Sequence, residues 1–267
     1  MDLQLDTKCA LVTGAGGDIG QGIARAFVRE GATVVLHGRD KTQLEQLANI
    51  LRAERGKVYM VAGDLASDEN AQRIAEEACN FVGHVDILIN NAAIYTHGSW
   101  LDDVPGEMLN LYNVNVVGAA RLIQRLVPPM RERHWGRIIQ IASGDATEPL
   151  AFMSSYAATK AALVNLTVGL AKTLANTGIT VNTISPGIVA TEGVKQFYRG
   201  LAAQLGWGSD WETIEHHILT EVLSNCTGRL GTVEEVADLI TFISSPLTGY
   251  VNAANIRIDG GSTRSIN

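Results

Sequence analysis

CALVTGAGGDIGQGIARAFVRE, from Cys9 to Glu30, passes from an apolar run through a glycine-rich turn into an amphipathic segment. Cys9 to Val12 has the length and composition of a short buried strand. Ile23, Ala24, Phe27 and Val28 recur at helical spacing, which predicts a helix to about Glu30. Between them, Thr13 to Gly20 (TGAGGDIG) supplies Gly14, Gly16, Gly17 and Gly20. A turn of this kind can bring backbone N–H groups and a helix N-terminus against a pyrophosphate, because no Cβ blocks the approach. The spacing is not G-x-G-x-x-G, and a glycine-rich turn alone also serves plain tight packing.

A second stretch, Ile141 to Leu163 (IASGDATEPLAFMSSYAATKAAL), carries the chemistry. Tyr156 and Lys160 are four apart in an Ala-rich helical run, so their side chains leave the same face. Ser143 follows GRIIQIAS, a buried-strand pattern, and so stands at that strand's C-terminal end, where open α/β sheets bind ligands. A phenol must be brought down by roughly 3 pH units, about 4 kcal/mol, to exchange protons freely at neutral pH. An ammonium about 4 Å away, at an effective dielectric of about 20, supplies on the order of 4 kcal/mol. Lys160 is therefore sufficient, and Ser143 can hold a carbonyl or alcohol oxygen. The plain alternative is a packed tyrosine and a lysine extending into water.

Length and charge narrow the classes. At 267 residues and 46% hydrophobic, the chain can bury a full core as a single domain spanning 1–267. A net charge of −7, a pI near 5.4 and the lack of any basic run argue against nucleic acid or an anionic membrane as partner. MDLQLDTK has no signal-peptide character and no apolar run reaches membrane-span length, which predicts a cytoplasmic protein. Cys9, Cys79 and Cys226 have no metal-ligand spacing, and no metal is expected.

Further along the chain, each strand end offers a candidate. The strand Thr33–His37 runs into HGRD: Arg39 would favour a 2′-phosphate, or else pair with Asp40 on a loop. After Lys57–Ala62, Asp64 can accept from an adenine amino group or cap a turn, and Asp68 is expected to cap the next helix. VDILINNAA ends in Asn91, Ala92 and Ala93, small enough for a flat ring to lie against the backbone, although Asn-Asn also suits a turn. A long helix is predicted over about Pro105–Arg133. Within it, Asn115 among valines either joins a buried network or marks a site. Alternating strands and helices imply a doubly wound, Rossmann-type α/β domain, with a parallel sheet of about seven strands covered on both faces.

Together these motifs resemble the short-chain dehydrogenases/reductases over nearly the whole chain, Thr13 to Gly261. The carriers are TGAGGDIG, Asp64, NNAA, Asn115, Ser143, YAATK, Pro186–Gly187 with Thr191, and TGRLGTVEEVADLITFISSP…IRIDGG. The nearest general likeness is to 3-oxoacyl-carrier-protein reductases. The resemblance implies a catalytic tetrad: Tyr156 as acid/base, Ser143 orienting the substrate oxygen, Lys160 on the nicotinamide ribose and lowering the tyrosine pKa, and Asn115 holding a relay water. It implies NAD(P)(H)-dependent interconversion of a ketone or aldehyde with an alcohol, and a homotetramer, or homodimer, using the helices of Asn115 and Tyr156. Gly14, Ile19, Asp64, Leu65, Asn91, Ala92, Ala93, Tyr156, Lys160, Pro186, Gly187, Ile188 and Thr191 would line the cofactor, with Gly16, Gly17, Asp18, Gly20 and Arg39 beside them.

Two departures stand out: Asp18 occupies a position where the family pattern has glycine, and Ala93 replaces the glycine of NNAG. Asp18 would approach the phosphates unless it turns away to cap the helix. NADP(H) is favoured over NAD(H) through Arg39, although the glycine loop lacks the basic residue common in NADP-preferring members. Residues 192–226 resemble the family's substrate lid. Their aromatics, Phe197 among them, either meet an apolar substrate or pack the lid, and Asp145, Tyr95 and His97 are expected at the pocket mouth. Two rivals use the same scaffold: a non-catalytic nicotinamide sensor, which has no need of the tetrad, and cofactor-free halohydrin elimination, whose members carry arginine in place of Lys160.

Overall fold

Seven short apolar runs form one parallel sheet in the computed structural model, which describes residues 1–98, 100–101 and 103–264. In chain order the elements are β1 (Cys9–Val12), α1 (Asp18–Arg29), β2 (Thr33–Gly38), α2 (Lys41–Ala53), β3 (Val58–Ala62), α3 (Asp68–Val82) and β4 (Ile87–Asn90). They continue with α4 (Pro105–Tyr112), α5 (Gly118–Glu132), β5 (Gly136–Ile141), α6 (Ser154–Thr173) and β6 (Ile179–Pro186). The last are α7 (Glu192–Leu205), α8 (Trp211–His217), α9 (Val233–Ile243) and β7 (Asn255–Ile258). Single α/β domain and seven-stranded sheet agree with the sequence expectation.

The strand order β3-β2-β1-β4-β5-β6-β7 places the first strand in the middle. After β3 the chain crosses to the other side of β1, so the connections leaving β1 and β4 diverge and open a crevice at their C-terminal ends. Successive residues of a strand serve opposite faces. Ala10 and Val12 pack with Phe27 of α1, Leu44 and Leu51 of α2 and Ile240 of α9, whereas Leu11 packs with Ile74 of α3, Leu122 and Met130 of α5 and Ala171 of α6. Both faces of the sheet are therefore buried, which is why the strands read as continuous apolar runs. Gly22 lets α1 and α9 touch: a Cβ there would lie 2.2 Å from Val233 Cγ1.

Two expectations need correction. The long helix is not uniform, because a π-type turn at Asn113–Val117 interrupts it between α4 and α5. Such a turn inserts a residue and redirects side chains locally. Asp68 is not the cap of α3. Ser67 accepts from Asn70 N at 3.4 Å, while Asp68 is ion-paired with Arg121. Arg121 also donates to Leu65 O (3.0 Å) and Asn113 Oδ1 (2.9 Å), tying the loop after β3 to the π-turn.

Beyond β6, α7 and α8 have a small core of their own in Tyr198, Ala202, Trp207, Ile214, Ile218 and Leu230. No helix among the described residues is long and apolar enough to cross a membrane, and no group of His, Cys, Asp and Glu among them could hold a metal ion.

Candidate active site

The crevice is a cleft of about 950 Å³ whose floor is the glycine turn. Gly14 adopts φ +65°, and a Cβ there would sit 2.8 Å from Ala92 Cα; at Gly20 a Cβ would sit 2.2 Å from Gly14 O. Only glycine fits either place. Asn91 secures the turn by donating from Nδ2 to Thr13 O (2.9 Å) and Gly14 O (3.2 Å), and the N–H groups of Asn91 and Ala92 both bond Thr13 Oγ1. This tight backbone packing beside a helix N-terminus suits a dinucleotide, and the cleft volume is in the usual range for such ligands.

Every cofactor candidate but one lines this cleft: Gly14, Gly16, Gly17, Asp18, Ile19, Gly20, Arg39, Asp64, Leu65, Asn91, Ala92, Ala93, Tyr156, Lys160, Pro186, Gly187 and Thr191. Ile188 is the exception and faces the adjoining cavity instead. Arg39 is exposed and in no ion pair among the described residues, so the Arg39–Asp40 alternative fails. Asp40 instead caps α2, accepting from Thr42 N (2.8 Å) and Gln43 N (3.2 Å). Asp64 accepts from Ala66 N at 2.9 Å and is otherwise exposed at the cleft edge. Asp18 does not cap α1: it lines the cleft, and its Oδ2 accepts from Glu192 N at 2.8 Å. Sequence reasoning missed His37 and Gln43, which also line the cleft. His37 is buried with Nε2 bonded to Gly63 O (3.1 Å), and desolvation lowers its pKa to about 4, so it is neutral at ordinary pH.

A second cavity of about 340 Å³ opens from the cleft, and Ser143 and Tyr156 belong to both walls. β5 delivers Ser143 at its end and α6 presents Tyr156, with Lys160 one turn deeper. Lys160 is 3% exposed; its Nζ donates to Ile141 O at 2.7 Å and lies 5.4 Å from the centre of the Tyr156 ring. Asn115 is buried, with both ends of its amide in use: Oδ1 accepts from Ile94 N (2.8 Å), and Nδ2 donates to Ile94 O (2.9 Å) and Thr159 Oγ1 (3.0 Å). Asn115 therefore pins the strand end after β4 to α6, and it can do so because the π-turn aims it there. The four candidate catalytic residues stand on three elements that converge on one end of the sheet.

The electrostatic balance at Tyr156 differs from the sequence argument. Burial raises its pKa well above the ordinary phenol value, the Asp145 carboxylate and Tyr95 raise it further, and a hydrogen bond from Ser143 pulls it back. The field of Lys160 does not outweigh desolvation here, and burial depresses the lysine itself to about 8. Tyr156 is therefore protonated at ordinary pH. Asp145 is also raised by burial, moderated by hydrogen bonds from Ser143 and the Leu150 N–H.

All four residues suggested for the pocket mouth, Asp145, Tyr95, His97 and Phe197, line the smaller cavity. His97 stacks on Phe197 (4.9 Å, 13° between planes), and Tyr95 meets Tyr156 edge-on at 6.3 Å. Tyr198, another aromatic of the 192–226 segment, joins them, as do Glu148, Leu150, Phe152, Leu223 and Thr263, which were not singled out in the sequence. Trp207 serves the packing of the 192–226 segment, stacked on His217 at 4.9 Å.

The comparisons with known proteins agree with this geometry. Residues 8–201 match the family model for short chain dehydrogenase. The chain is 34% identical to an uncharacterized oxidoreductase of Bacillus subtilis, YvrD, over the full length of both, and 30% identical to the 3-oxoacyl-[acyl-carrier-protein] reductase FabG of Aquifex aeolicus over 98% of this chain and 99% of the relative. Among solved structures, the L-sorbose reductase of Gluconobacter frateurii, complexed with NADPH and L-sorbose, superposes with a TM-score of 0.94 at 31% identity, covering all of both chains. A 3-oxoacyl (acyl-carrier-protein) reductase of Agrobacterium tumefaciens with NADP bound gives 0.87 at 29%, over 97% of this chain and 96% of that one. The chain belongs to the short-chain dehydrogenase family and is an NAD(P)-dependent oxidoreductase of carbonyl and alcohol groups.

Proposed function

We propose that the protein is an NADP(H)-preferring carbonyl reductase acting on a small, uncharged, hydroxyl-bearing ketone. The observation that carries this reading is the position of Ser143 and Tyr156 in the shared wall of the two cavities. A carbonyl oxygen held by both hydroxyls leaves its carbon facing the cleft, where bound nicotinamide supplies a hydride. Tyr156 gives its proton to that oxygen in reduction and takes it back in oxidation. Burial keeps Tyr156 protonated at ordinary pH, so it carries the proton that reduction requires. Lys160, fixed by Ile141 O, presents its charge to the cleft below Tyr156. Asn115 acts by holding the Ile94 segment in place, and a relay water at its site is the family expectation.

NADP(H) preference rests on Arg39, whose guanidinium stands at the cleft edge beside Gly38, where an acid would repel a 2′-phosphate. The two solved relatives named above were crystallised with NADPH or NADP and support this choice. For the substrate, Asp145 and Glu148 line the cavity and neither lysine nor arginine does. A carboxylate-bearing substrate would meet repulsion, whereas a hydroxyl can donate to Asp145; L-sorbose, the ligand of one relative, is of this kind.

Residues 192–226 are proposed as the substrate lid over one 1–267 domain, and a homotetramer as the assembly, supported by exposed apolar residues Leu109 and Tyr112 on α4 and Leu166 and Val168 on α6. The acidic balance and absence of a basic run suit a cytoplasmic enzyme. The test is a fluorescence titration with NADPH and NADH alongside Arg39→Ala, followed by NADPH oxidation with neutral hydroxyketones and 2-keto acids. Tighter NADPH binding that collapses in the variant, with turnover of the neutral ketones alone, is the expected result. NADH binding unmoved by the variant would reassign the cofactor, and turnover of keto acids would reject the substrate class.

A further inference from the structure

The hydrogen bond from Glu192 N to Asp18 Oδ2, 2.8 Å long, joins residues 174 positions apart in sequence. Asp18 is the first residue of α1, in the turn that floors the nucleotide cleft, and Glu192 is the first residue of α7, which carries Val194, Phe197 and Tyr198 in the wall of the substrate cavity. The neighbours of this contact also belong to both sites: Ile19, Thr191 and Gly193 line the cleft and the cavity alike. α7 already has a side-chain cap, since Thr191 Oγ1 accepts from Val194 N at 3.2 Å. Asp18 takes a second of its free N–H groups, from a different element.

We propose that Asp18 is a positioning residue that fastens the cavity-forming helix α7 to the nucleotide loop, so that one turn of chain sets the geometry of both binding sites. The inference rests on the assignment of the cleft to a nicotinamide dinucleotide. The carboxylate stands at the N-termini of two helices, α1 of 12 residues and α7 of 14, where a negative charge is favoured. A diphosphate on the glycine turn would be drawn to the same α1 terminus. Asp18 is therefore bought at a cost in cofactor affinity, because its charge opposes the phosphates it stands beside, and what it provides in exchange is an ordered cavity wall.

The two effects separate by substitution. An asparagine keeps an acceptor oxygen for Glu192 N and loses the charge; an alanine loses both. Backbone amide exchange over residues 193–198 of the full-length protein, without added nucleotide, reads the fastening directly. Asp18→Ala is expected to exchange on the order of 10-fold faster there, as loss of a charge-assisted bond implies, while α9 stays unchanged. With a ketone substrate, Asp18→Ala raises KM several-fold more than it lowers kcat, and Asp18→Asn restores lid protection and most of KM. Both variants bind NADPH several-fold more tightly. Unchanged exchange over 193–198 in Asp18→Ala, or an equal loss in Asp18→Asn and Asp18→Ala, would overturn the proposal. If no nicotinamide nucleotide bound at all, the functional assignment would fall, and the exchange experiment would still decide whether Asp18 fastens α7.

Discussion

The walls of the nucleotide cleft come from strand ends and tight turns, whereas the outer wall of the substrate cavity comes from α7 and the loop leading into it. In the first region, Gly14, Gly20, Asn91 and Thr13 are interlocked by backbone contacts and hydrogen bonds, with Thr13 buried, Lys160 anchored on Ile141 O and both ends of the Asn115 amide in use. In the second, Phe197 is 42% exposed and its supports are ring contacts with His97 and Tyr198. A rigid half that performs common chemistry meets a looser half that chooses the substrate. The division follows from geometry: a hydride can pass only between fixed atoms, while a cavity wall tolerates repacking.

Substitutions in the two halves should differ in kind and size. The largest effect on binding is expected at Gly20→Ala, where the added Cβ would have to displace the Gly14 carbonyl; NADPH affinity should fall by more than about 100-fold in a fluorescence titration, with the fold retained by circular dichroism. Arg39→Ala should weaken NADPH about 10- to 100-fold and leave NADH nearly unchanged, by the same titration.

The pH dependence comes next. Lys160 titrates at about 8, so raising the pH through that value removes its charge; Tyr156, whose pKa is raised, keeps its proton. The kcat for reduction should be flat below pH 8 and fall about tenfold per pH unit above it. Lys160→Arg, if it folds, should abolish that limb, because a guanidinium does not discharge there. The smallest effect is expected for Phe197→Ala, a few-fold rise in ketone KM with NADPH affinity unchanged, measured by steady-state kinetics. If Phe197→Ala instead cost as much as Arg39→Ala, the contrast between the two halves would be wrong.

The same contrast explains what could be read from the sequence. Glycines that a Cβ cannot replace, strands buried on both faces and a Tyr-x-x-x-Lys pair on one helix face are local constraints, and local constraints leave patterns. The π-turn at Asn113–Val117 leaves none, because YNVNVV reads as ordinary helix and the pairing of Asn115 with Ile94 that accompanies the turn is made across a loop. The partner of Asp18 was illegible for a similar reason, since Glu192 approaches only through the fold. The aromatics of 192–226 divide only through packing, which sends Trp207 into the small core of α7 and α8 and leaves Phe197 on the cavity. The raised pKa of Tyr156 depends on desolvation, which spacing alone does not report.

The most direct test of the account is single-turnover NADPH oxidation with a neutral hydroxyketone, comparing the wild-type protein with Tyr156→Phe at matched nucleotide saturation. The account predicts that the variant binds NADPH with unchanged affinity and transfers hydride at least about 1000-fold more slowly, the loss expected when a general acid is removed. Transfer at the wild-type rate in Tyr156→Phe would contradict it, because the proton would then be coming from somewhere other than the wall the two cavities share.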